Sequence, residues 1–425
     1  MASNNIAPSG GPGLSILAVG DVFVDRDDPA TAFHSARDVL RSGDVVFGNC
    51  EGVFSDDIQR APSAGSTLTA PAANTAPLAN AGFDIMSLAN NHSLDGGHAA
   101  LLSMRRTLAE LDIATVGAGA NLAEATAPRY LERNGTRLAF LAFSSVFPYG
   151  YEARPGVPGL APLRAHTRYT PLDLNAWNPG MAPLVSTEPL VEDQQAFIDS
   201  ITEARAKADI VVASFHWGDS TVPFSLTDHE RRTARLAIDN GADVVVGHHH
   251  HMLRGVEFHS GKPIFYGLGH YVFDLPNLAE RLAKDGYLGV GRPGEMAAWA
   301  RKFGEYMIRP REGYPLLPFH PDSRLTGAAV IHIAPSGRIS AGFLPAIINP
   351  ANEPMHVPAD SDEGRRVVAY LERCCAIEQL PTRLVAPRPD SGLPASCIEF
   401  VSASTDRADT VIPDGIPTQQ GAGND

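Results

Sequence analysis

Four consecutive histidines, His248 to His251, follow Gly247 and a β-branched run that is typical of a buried strand, Val244 to Val246. Neutral imidazole is the commonest protein ligand for zinc and related divalent ions. Alternate residues of an extended segment point to the same side, so His249 and His251 are expected to bind one metal site, while His248 and His250 face packing or substrate. A solvated histidine run or a tag remnant is the alternative, but tags lie at chain ends and do not follow a buried strand. The run therefore predicts a metal site.

Polar side chains also follow the other apolar runs that predict strands. Because open α/β sheets bind ligands beyond the carboxyl ends of their strands, one cleft is expected to collect these side chains. Together with the histidine run they form the set Asp21, Glu51, Asn91, His92, His216, His249 and His251. This mixture of oxygen and nitrogen donors suits Zn, Mn or Fe, whereas a structural zinc site needs a thiolate set and a calcium site needs a carboxylate cage. A carboxylate that bridges two ions beside imidazoles is an arrangement that activates water, so the set predicts hydrolysis.

The elements that must position these residues alternate along the chain, as in layered α/β proteins. Strands are predicted at residues 14–19, 44–47, 83–88, 137–143, 209–214, 328–333 and 339–344. Apolar residues with helical spacing predict helices over Thr31 to Arg41 and from Leu101 to Leu111.

The chain is predicted to divide into a flexible N-terminus at residues 1–13, a catalytic domain at 14–350 and a C-terminal extension at 351–425. Two insertions, at 146–190 and 274–324, interrupt the domain, and long insertions beside a site often act as lids or specificity loops. The second insertion contains a predicted helical stretch from Glu295 to Met307. The Pro-rich tail beyond about Asp390 is expected to be largely irregular.

Composition excludes some partners. The formal net charge is −14, whereas binding to nucleic acid or to an anionic membrane surface needs clustered Lys and Arg. The start of the chain lacks a basic, apolar leader, and no stretch approaches the roughly 18 apolar residues of a membrane span. The four cysteines show no zinc-type spacing. A cytoplasmic protein is therefore expected, with no nucleic-acid or membrane partner; its oligomeric state is left open, a homodimer being one expectation.

Five motifs in order resemble the CapA-type family of poly-γ-glutamate capsule synthesis. They are Gly20-Asp21 with Arg26, Asn49-Cys50-Glu51, the segment Leu88 to Gly96 around Asn90-Asn91-His92, Ser214 to Gly218 around His216-Trp217, and Gly247 to His251. That family is similar in turn to the calcineurin-like metallophosphoesterases. The resemblance implies their four-layer α/β/β/α sandwich, here with inserted lid loops.

The resemblance also implies roles for the matching residues. Asp21 and His251 would bind the first divalent ion. Asn91, His216 and His249 would bind the second ion, and the Glu51 carboxylate would bridge the two ions. His92 would act as the catalytic general acid that protonates the leaving group. One or two ions of Mn, Zn or Fe are expected.

The chain departs from the pattern at three places. Metallophosphoesterases have a histidine two residues after the first aspartate, where this chain has Phe23, so the first ion loses a ligand; Asp25 either replaces it or has a local structural role. Between the last two histidines of the final motif, where the family usually has a proline, this chain has His250. In the later strand motif, where the family usually has Gly-Asn, this chain has Gly269-His270. Both extra imidazoles are candidates for substrate contact or for support of the ligands.

Substrate contacts are predicted for Arg26 in the first motif and for three arginines of the first insertion, Arg154, Arg164 and Arg168. Arginine pairs bidentately with carboxylate or phosphate. A solvated, Pro-stiffened loop is the alternative. Asp95, Asp219 and His248 are expected to support the ligands from outside, because ligating imidazoles need an acceptor for their other N–H.

Each residue also has a structural alternative: Asp21 as a turn cap, Asn91 in a left-handed turn, and His216 as a packed core histidine.

The leading hypothesis is a metal-dependent hydrolase that cleaves an amide, ester or phosphoester of a small carboxylated or γ-glutamyl-type substrate. The alternatives are a non-catalytic accessory protein that binds polyglutamate or synthase partners, and a phosphoesterase acting on a nucleotide or phosphosugar.

Overall fold

The computed structural model describes residues 13–170, 183–278, 280–281, 304–306 and 308–403. Its strands are β1 Leu14–Phe23, β2 Val45–Cys50, β3 Val53–Phe54, β4 Thr69–Ala70, β5 Ile85–Ser87, β6 Ala114–Val116, β7 Ala118–Gly119, β8 Arg129–Arg133, β9 Thr136–Ser144, β10 Gly159–Leu160, β11 Ala165–Thr170, β12 Leu184–Pro189, β13 Ile210–His216, β14 Val244–His248, β15 Val256–His259, β16 Lys262–Phe265, β17 His270–Phe273, β18 Leu325–Ile333, β19 Ile339–Ile348, β20 Pro354–His356, β21 Thr382–Val385 and β22 Ile398–Ser402. Its helices are α1 Arg37–Leu40, α2 Ala76–Ala81, α3 Gly97–Glu110, α4 Leu122–Thr126, α5 Val191–Lys207, α6 Asp228–Asp239 and α7 Asp362–Ile377.

Two large sheets organise these strands. The ten-stranded sheet has the order β21-β22-β19-β18-β1-β2-β5-β6, with β17 paired to β1 and β20 paired to β19. The six-stranded sheet has the order β15-β16-β14-β13-β9-β8. The strands β1, β2, β5 and β6 run parallel, as do β9, β13, β14 and β16. Parallel strands end at the same edge of a sheet, so each sheet presents its loop residues as one group.

The core consists mainly of three large apolar clusters. One cluster takes alternate residues from both sheets, such as Phe47 and Phe140, whose rings stack at 5.6 Å. A second contains residues of α3, including Leu101 and Met104, against the ten-stranded sheet, and a third contains residues of α5 and α6 against the six-stranded sheet. Burial of each large apolar side chain contributes about 1.5–3 kcal/mol. The mixed α/β class predicted from the sequence is confirmed.

The predicted helix over Thr31 to Arg41 is wrong in its first half. Pro29–Thr31 is a turn of 3-10 helix whose first backbone N–H groups are capped by Asp28, and α1 begins only at Arg37. Thr31, His34 and Ser35 have low helix propensity, so the buried Phe33 and Ala36 are held by packing rather than by a continuous helix.

The tail beyond Asp390 is not irregular throughout, because β22 pairs with β19 in the ten-stranded sheet. The buried Glu399 of β22 accepts two hydrogen bonds from the Arg388 guanidinium, at 2.7 and 3.1 Å, and Phe400 packs edge-on against Phe265. These long-range contacts supply stability that local sequence does not reveal. The boundary at residue 350 stays a prediction.

The two insertions are described in part. β11 and β12 form a hairpin in the first, whereas residues 171–182 lie outside the described residues. Of the predicted helical stretch from Glu295 to Met307, only Gly304–Tyr306 is described, as a 3-10 turn; the rest lies outside the described residues, as do residues 1–12 and 404–425. Within the described part of the chain, no helix has the length and apolar character needed to cross a bilayer.

Candidate functional site

The ends of strands from both sheets meet at one buried cluster. Asp21 near the end of β1 and Glu51 just after β2 come from the ten-stranded sheet, and His216 at the end of β13 comes from the six-stranded sheet. Nε2 of His216 lies 3.7 Å from Oε1 of Glu51 and 2.6 Å from Oδ1 of Asn91, which follows β5. The structure therefore brings Asp21, Glu51, Asn91 and His216 together across the two sheets.

The histidine run adds three imidazoles to this cluster. Nδ1 of His251 lies 3.2 Å from Oδ2 of Asp21, and its Nε2 lies 3.8 Å from Oε1 of Glu51. Nδ1 of His249 lies 3.1 Å from Nε2 of His216. Nδ1 of His248 lies 3.5 Å from Oδ1 of Asp21, where it can support that carboxylate.

Strand alternation does not produce this geometry, contrary to the sequence-based argument. β14 ends at His248, and the next residues turn: φ is +93° at His249 and +57° at His251. Such values are uncommon outside glycine and concentrate at functional sites. His248, the last residue of the strand, faces the cluster rather than away from it, and the turn brings His249 and His251 to the same cluster.

His250 does not reach the cleft. Its Nε2 lies 2.8 Å from Oε1 of Glu230, and both side chains are completely buried. Glu230 belongs to the capping box of α6, in which it accepts a hydrogen bond from the Thr227 backbone N–H. The structure gives His250 an internal role, contrary to the predicted substrate contact, because it ties the histidine run to α6.

The electrostatics of the cluster call for cations. Oδ2 of Asp21 and both carboxylate oxygens of Glu51 are buried without a hydrogen-bond partner. Burial by itself raises the pKa of Asp21. The adjacent His248 and His251 outweigh that effect, so the pKa of Asp21 lies well below its ordinary value. Burial and the adjacent Asp21 charge hold the pKa of Glu51 well above its ordinary value. A buried carboxylate with no partner is costly, and a bound cation removes that cost.

The histidines are suited to the same purpose. Burial lowers the pKa of His216, His249 and His270 well below the ordinary value, which keeps these imidazoles neutral with a free lone pair. Ligand atoms within 4.8 Å of one another form the groups Asp21-His251-His270, Glu51-His249-His251 and Asp21-Glu51-His216. These donors fit divalent ions of the Mn, Fe and Zn type, which accept both carboxylate and imidazole.

Two asparagines that the sequence analysis did not assign hold residues of the cluster in place. Asn49 Nδ2 donates to Oδ1 of Asp21 at 2.9 Å and lies 3.3 Å from Nδ1 of His216. Asn90 Nδ2 donates to Oδ1 of Asn49 at 3.1 Å and to the Cys50 carbonyl at 2.8 Å. Asn49 and Asn90 both lie inside the five family-like motifs, and this position in the sequence could have indicated that they belong to the site.

His92 lies beside the cluster with a positioned acid partner. Its Nδ1 lies 2.7 Å from Oδ2 of Asp95, and Oδ1 of Asp95 accepts a hydrogen bond from the Tyr151 hydroxyl at 2.8 Å. The Leu68 backbone N–H donates to Oδ2 of Asp95 at 2.7 Å. Asp95 thus supports His92, which follows the predicted ligand Asn91 in the chain. It does not contact a predicted metal-binding imidazole. Tyr151 was missed, and no local pattern signals it.

Four predicted substrate-binding arginines are engaged elsewhere or placed away from the cluster. The Arg26 guanidinium donates to both oxygens of the buried Asp274, at 2.8 and 2.6 Å. Arg164 donates to both oxygens of Asp193 at 2.7 and 2.6 Å, and Arg168 lies 3.6 Å from Glu188 on the exposed β11–β12 hairpin. Arg154 borders a depression with Leu122, Glu192 and Asp193. The geometry gives these arginines ion-pair or surface positions rather than positions in the cleft.

Two aspartates also have local partners. Asp25 forms an ion pair with Arg281, and its backbone N–H donates to Asp274, contacts that fit the local structural role among the two predicted for it. Oδ1 of Asp219 accepts hydrogen bonds from the backbone and hydroxyl of Thr221, as in a turn.

A cavity of about 250 Å³ opens onto the cluster. Asn91, His92, His249 and His251 form its polar wall, and Leu68, Phe273, Leu275, Leu278, Ile308 and Phe319 form much of the rest. Arg281 adds a cationic side chain to the lining. A mostly apolar cavity with a few converging polar groups is typical of a small-molecule site. The sequence analysis did not single out Arg281, which lies in the second insertion without a motif.

The bacterial capsule synthesis protein PGA_cap family matches residues 15–275, which include every residue of the cluster. The chain belongs to this family. It is 29% identical over 272 residues to the Bacillus subtilis PGA biosynthesis protein CapA, covering 61% of this chain and 63% of that protein. It is 31% identical over 198 residues to a Mycobacterium tuberculosis protein named "Probable polyglutamine synthesis accessory protein", covering 46% of each.

The chain spans less than two thirds of the length of these relatives of the PGA_cap family. Among solved structures, a hypothetical protein from Thermus thermophilus aligns with 78% of this chain and 99% of its own at 16% identity, with a TM-score of 0.41. A similarity at that level carries no functional argument.

Proposed function

We propose that the chain is a metal-dependent hydrolase built as a four-layer α/β/β/α sandwich of the calcineurin-like type. Its substrate is a small carboxylated or γ-glutamyl-type molecule in which an amide, ester or phosphoester bond is cleaved by an activated water. The proposal rests on the convergence of six side chains, two of which are buried carboxylates that need cations. The six are Asp21, Glu51, Asn91, His216, His249 and His251. The apolar cluster shared by the two sheets, with helices on their outer faces, supports the layer order.

The chain's residues divide the work. Divalent ions held by this ligand set would lower the pKa of a bound water and polarise the scissile group. His92 offers Nε2 to the leaving group, because its Nδ1 is engaged with Asp95. Proton donation from Nε2 to the leaving nitrogen or oxygen leaves the ring neutral, and the Asp95 carboxylate stabilises the protonated ring before transfer.

Substrate recognition is assigned to Arg281 rather than to the arginines of the first insertion. Its side chain lines the cavity together with His92 and His251, whereas Arg26 and Arg164 do not line it. The guanidinium pairs with Asp25 and donates to the carbonyls of Thr67 and Pro276, so a substrate carboxylate would share it with these partners. A substrate carboxylate placed in the cavity would find this cation opposite the predicted ligands, with apolar walls between. A mostly apolar enclosure strengthens such a charge-assisted hydrogen bond.

A non-catalytic accessory protein is the second candidate function. The family description and the names of the relatives favour it, since they refer to capsule or polyglutamine synthesis rather than to hydrolysis. A phosphoesterase acting on a nucleotide or phosphosugar is a third candidate, which the same ligand set would serve. The cytoplasmic location and the homodimer stay predictions.

One experiment separates the three candidates. The full chain, freed of metal with a chelator and then reconstituted with Mn or Zn, is assayed for metal content and for cleavage of p-nitrophenyl phosphates, esters and γ-glutamyl anilides. Metal-dependent turnover of an ester or anilide supports the hydrolase. In His92→Ala the anilide reaction should be lost, because its leaving nitrogen must be protonated, whereas p-nitrophenolate leaves without a proton and ester cleavage should fall less. Preference for the phosphates supports the phosphoesterase. Absence of bound metal after reconstitution contradicts both enzymes and leaves the accessory role.

A further inference from the structure

We infer that His270 is a metal ligand, which binds the same ion as Asp21 and His251 and makes up for the donor that Phe23 does not supply. The inference rests on the proposed metal binding and assigns a residue to it. Ligand atoms of Asp21, His251 and His270 lie within 4.8 Å of one another. The three residues come from three different segments, which only the folded chain brings together.

The burial of His270 leaves its polar atoms without a partner. The side chain is fully buried, and neither ring nitrogen has a hydrogen bond. A buried polar group without a partner is costly, so such a group calls for one. His229 and His332 are also buried without partners, but among the described residues neither joins a group of possible ligands. The nearby carboxylate and imidazole distinguish His270 from them.

The backbone fixes His270 opposite Asp21. β17 runs parallel to β1 with His270 as the register partner of Asp21, and the Asp21 N–H donates to the Gly269 carbonyl at 2.8 Å. Gly20 permits this approach, because a Cβ at that position would lie 2.0 Å from the Gly269 oxygen. The position of His270 relative to Asp21 is therefore set by sheet pairing.

Aromatic rings fix the orientation of the imidazole without satisfying its nitrogens. The His270 ring stacks on Phe273 with centroids 4.6 Å apart and meets the edge of Phe319 at 4.4 Å. On another side it lies 4.5 Å from the ring of His251. Phe23 packs against Phe54 and Phe273 in the same region, which gives it a purely apolar role. Rigid packing of this kind prepares a ligand for its ion.

The test measures metal binding directly, by titrating the metal-free full chain with Co(II) in a calorimeter. In His270→Gln we expect binding of one ion to weaken at least about 10-fold, as for loss of a metal-site contact. His332→Gln, which changes a buried histidine remote from the group, is the matched control and should bind as the wild type. His270→Phe, which suits the aromatic surroundings, serves if the glutamine variant does not fold.

A second variant gives a positive signature. In His270→Cys, a thiolate that binds Co(II) at this position adds an intense near-ultraviolet charge-transfer band, which the wild type lacks. Unchanged Co(II) affinity in His270→Gln and His270→Phe, together with no new band in His270→Cys, would overturn the inference while leaving the proposed hydrolase intact. Failure of the wild type itself to bind Co(II), Mn or Zn would overturn the proposed metal site and this inference with it.

Discussion

Nδ1 of His92 lies 2.7 Å from Oδ2 of Asp95, which leaves Nε2 as the nitrogen available to a substrate. Because general acid catalysis by a positioned side chain contributes about 10²–10⁴-fold, we expect His92→Ala to lower kcat by that factor. Asp95→Asn should lower kcat less and shift the pH profile of kcat, since the ring loses its stabilising charge. Steady-state kinetics provide the measurement, on whichever of the phosphates, esters and γ-glutamyl anilides proposed above the protein cleaves. Arg105→Ala, in the exposed pair with Glu124, is a control that should keep full activity.

Glu51 should make the stability of the protein depend on metal. Its carboxylate is buried beside Asp21 without a hydrogen bond, so Glu51→Gln is expected to unfold no more easily than the wild type in the presence of a chelator. An ion at 100 times its dissociation constant stabilises the wild type by about 2.7 kcal/mol, and the variant should lose most of that gain. Urea denaturation with and without Mn or Zn measures both effects.

Glu257→Gln is the matched control for Glu51, because Glu257 is also buried but pairs with Arg235 and Tyr266. It should lower stability by the same amount with and without metal. Equal metal stabilisation of the wild type and Glu51→Gln would contradict the assignment of Glu51 as a ligand.

Arg26 is expected to stabilise the fold rather than to bind substrate. Arg26→Ala leaves Asp274, which is fully buried, without its bidentate partner, and breaking a buried pair in this way costs about 3–5 kcal/mol. Arg26→Lys should recover only part of this, since lysine cannot donate in the same fork. Urea denaturation measures the loss; an unchanged free energy of unfolding in Arg26→Ala would refute the structural role.

Arg281 should affect substrate binding. In Arg281→Ala we expect KM for a carboxylated substrate to rise about 10- to 100-fold with little change in kcat, because a hydrogen bond to a charged group contributes about 1.5–3 kcal/mol. Arg164→Ala is the control: Arg164 borders a different depression and does not line this cavity, so KM should not change. The opposite pattern, with KM raised only in Arg164→Ala, would return substrate recognition to the first insertion.

His356 should make stability fall in acid. Burial lowers the pKa of His356 to about 4 from about 6.5, and its Nε2 lies 2.8 Å from the Tyr271 hydroxyl. Between these values the unfolded chain binds a proton that the folded chain does not, so this contribution to stability is complete above about pH 6.5 and is lost as the pH falls toward 4. At pH 5 the loss amounts to about 2 kcal/mol.

His356→Gln should abolish that part of the pH dependence. The check is the difference in free energy of unfolding between pH 7.5 and pH 5, compared with the wild type. His98→Gln, which changes an exposed side chain of α3, controls for substitution of a histidine as such. An identical pH dependence in His356→Gln and the wild type would rule the effect out.

The amino-acid sequence alone was enough for the features that depend on local pattern. Apolar runs predicted the strands that carry Asp21, Glu51, His216 and the histidine run, because burial of alternate or consecutive residues leaves a periodic trace. Polar residues directly after those strands marked the site, since parallel strands present their ends at one edge. The described structure brings these residues together as expected.

Features that depend on distant partners required the folded chain. Arg26 and Asp274 are 248 residues apart, and whether an arginine binds substrate or a buried aspartate leaves no trace in its neighbours. The turn at His249 and the pairing of His270 with Asp21 within the ten-stranded sheet likewise depend on long-range contacts, which outweigh local preference. Local propensities amount to tenths of a kcal/mol per residue, whereas breaking a buried pair costs about 3–5 kcal/mol and burying a large apolar side chain contributes about 1.5–3 kcal/mol. For this reason the convergence of these residues could be predicted from the sequence, but the partner of each histidine and arginine could not.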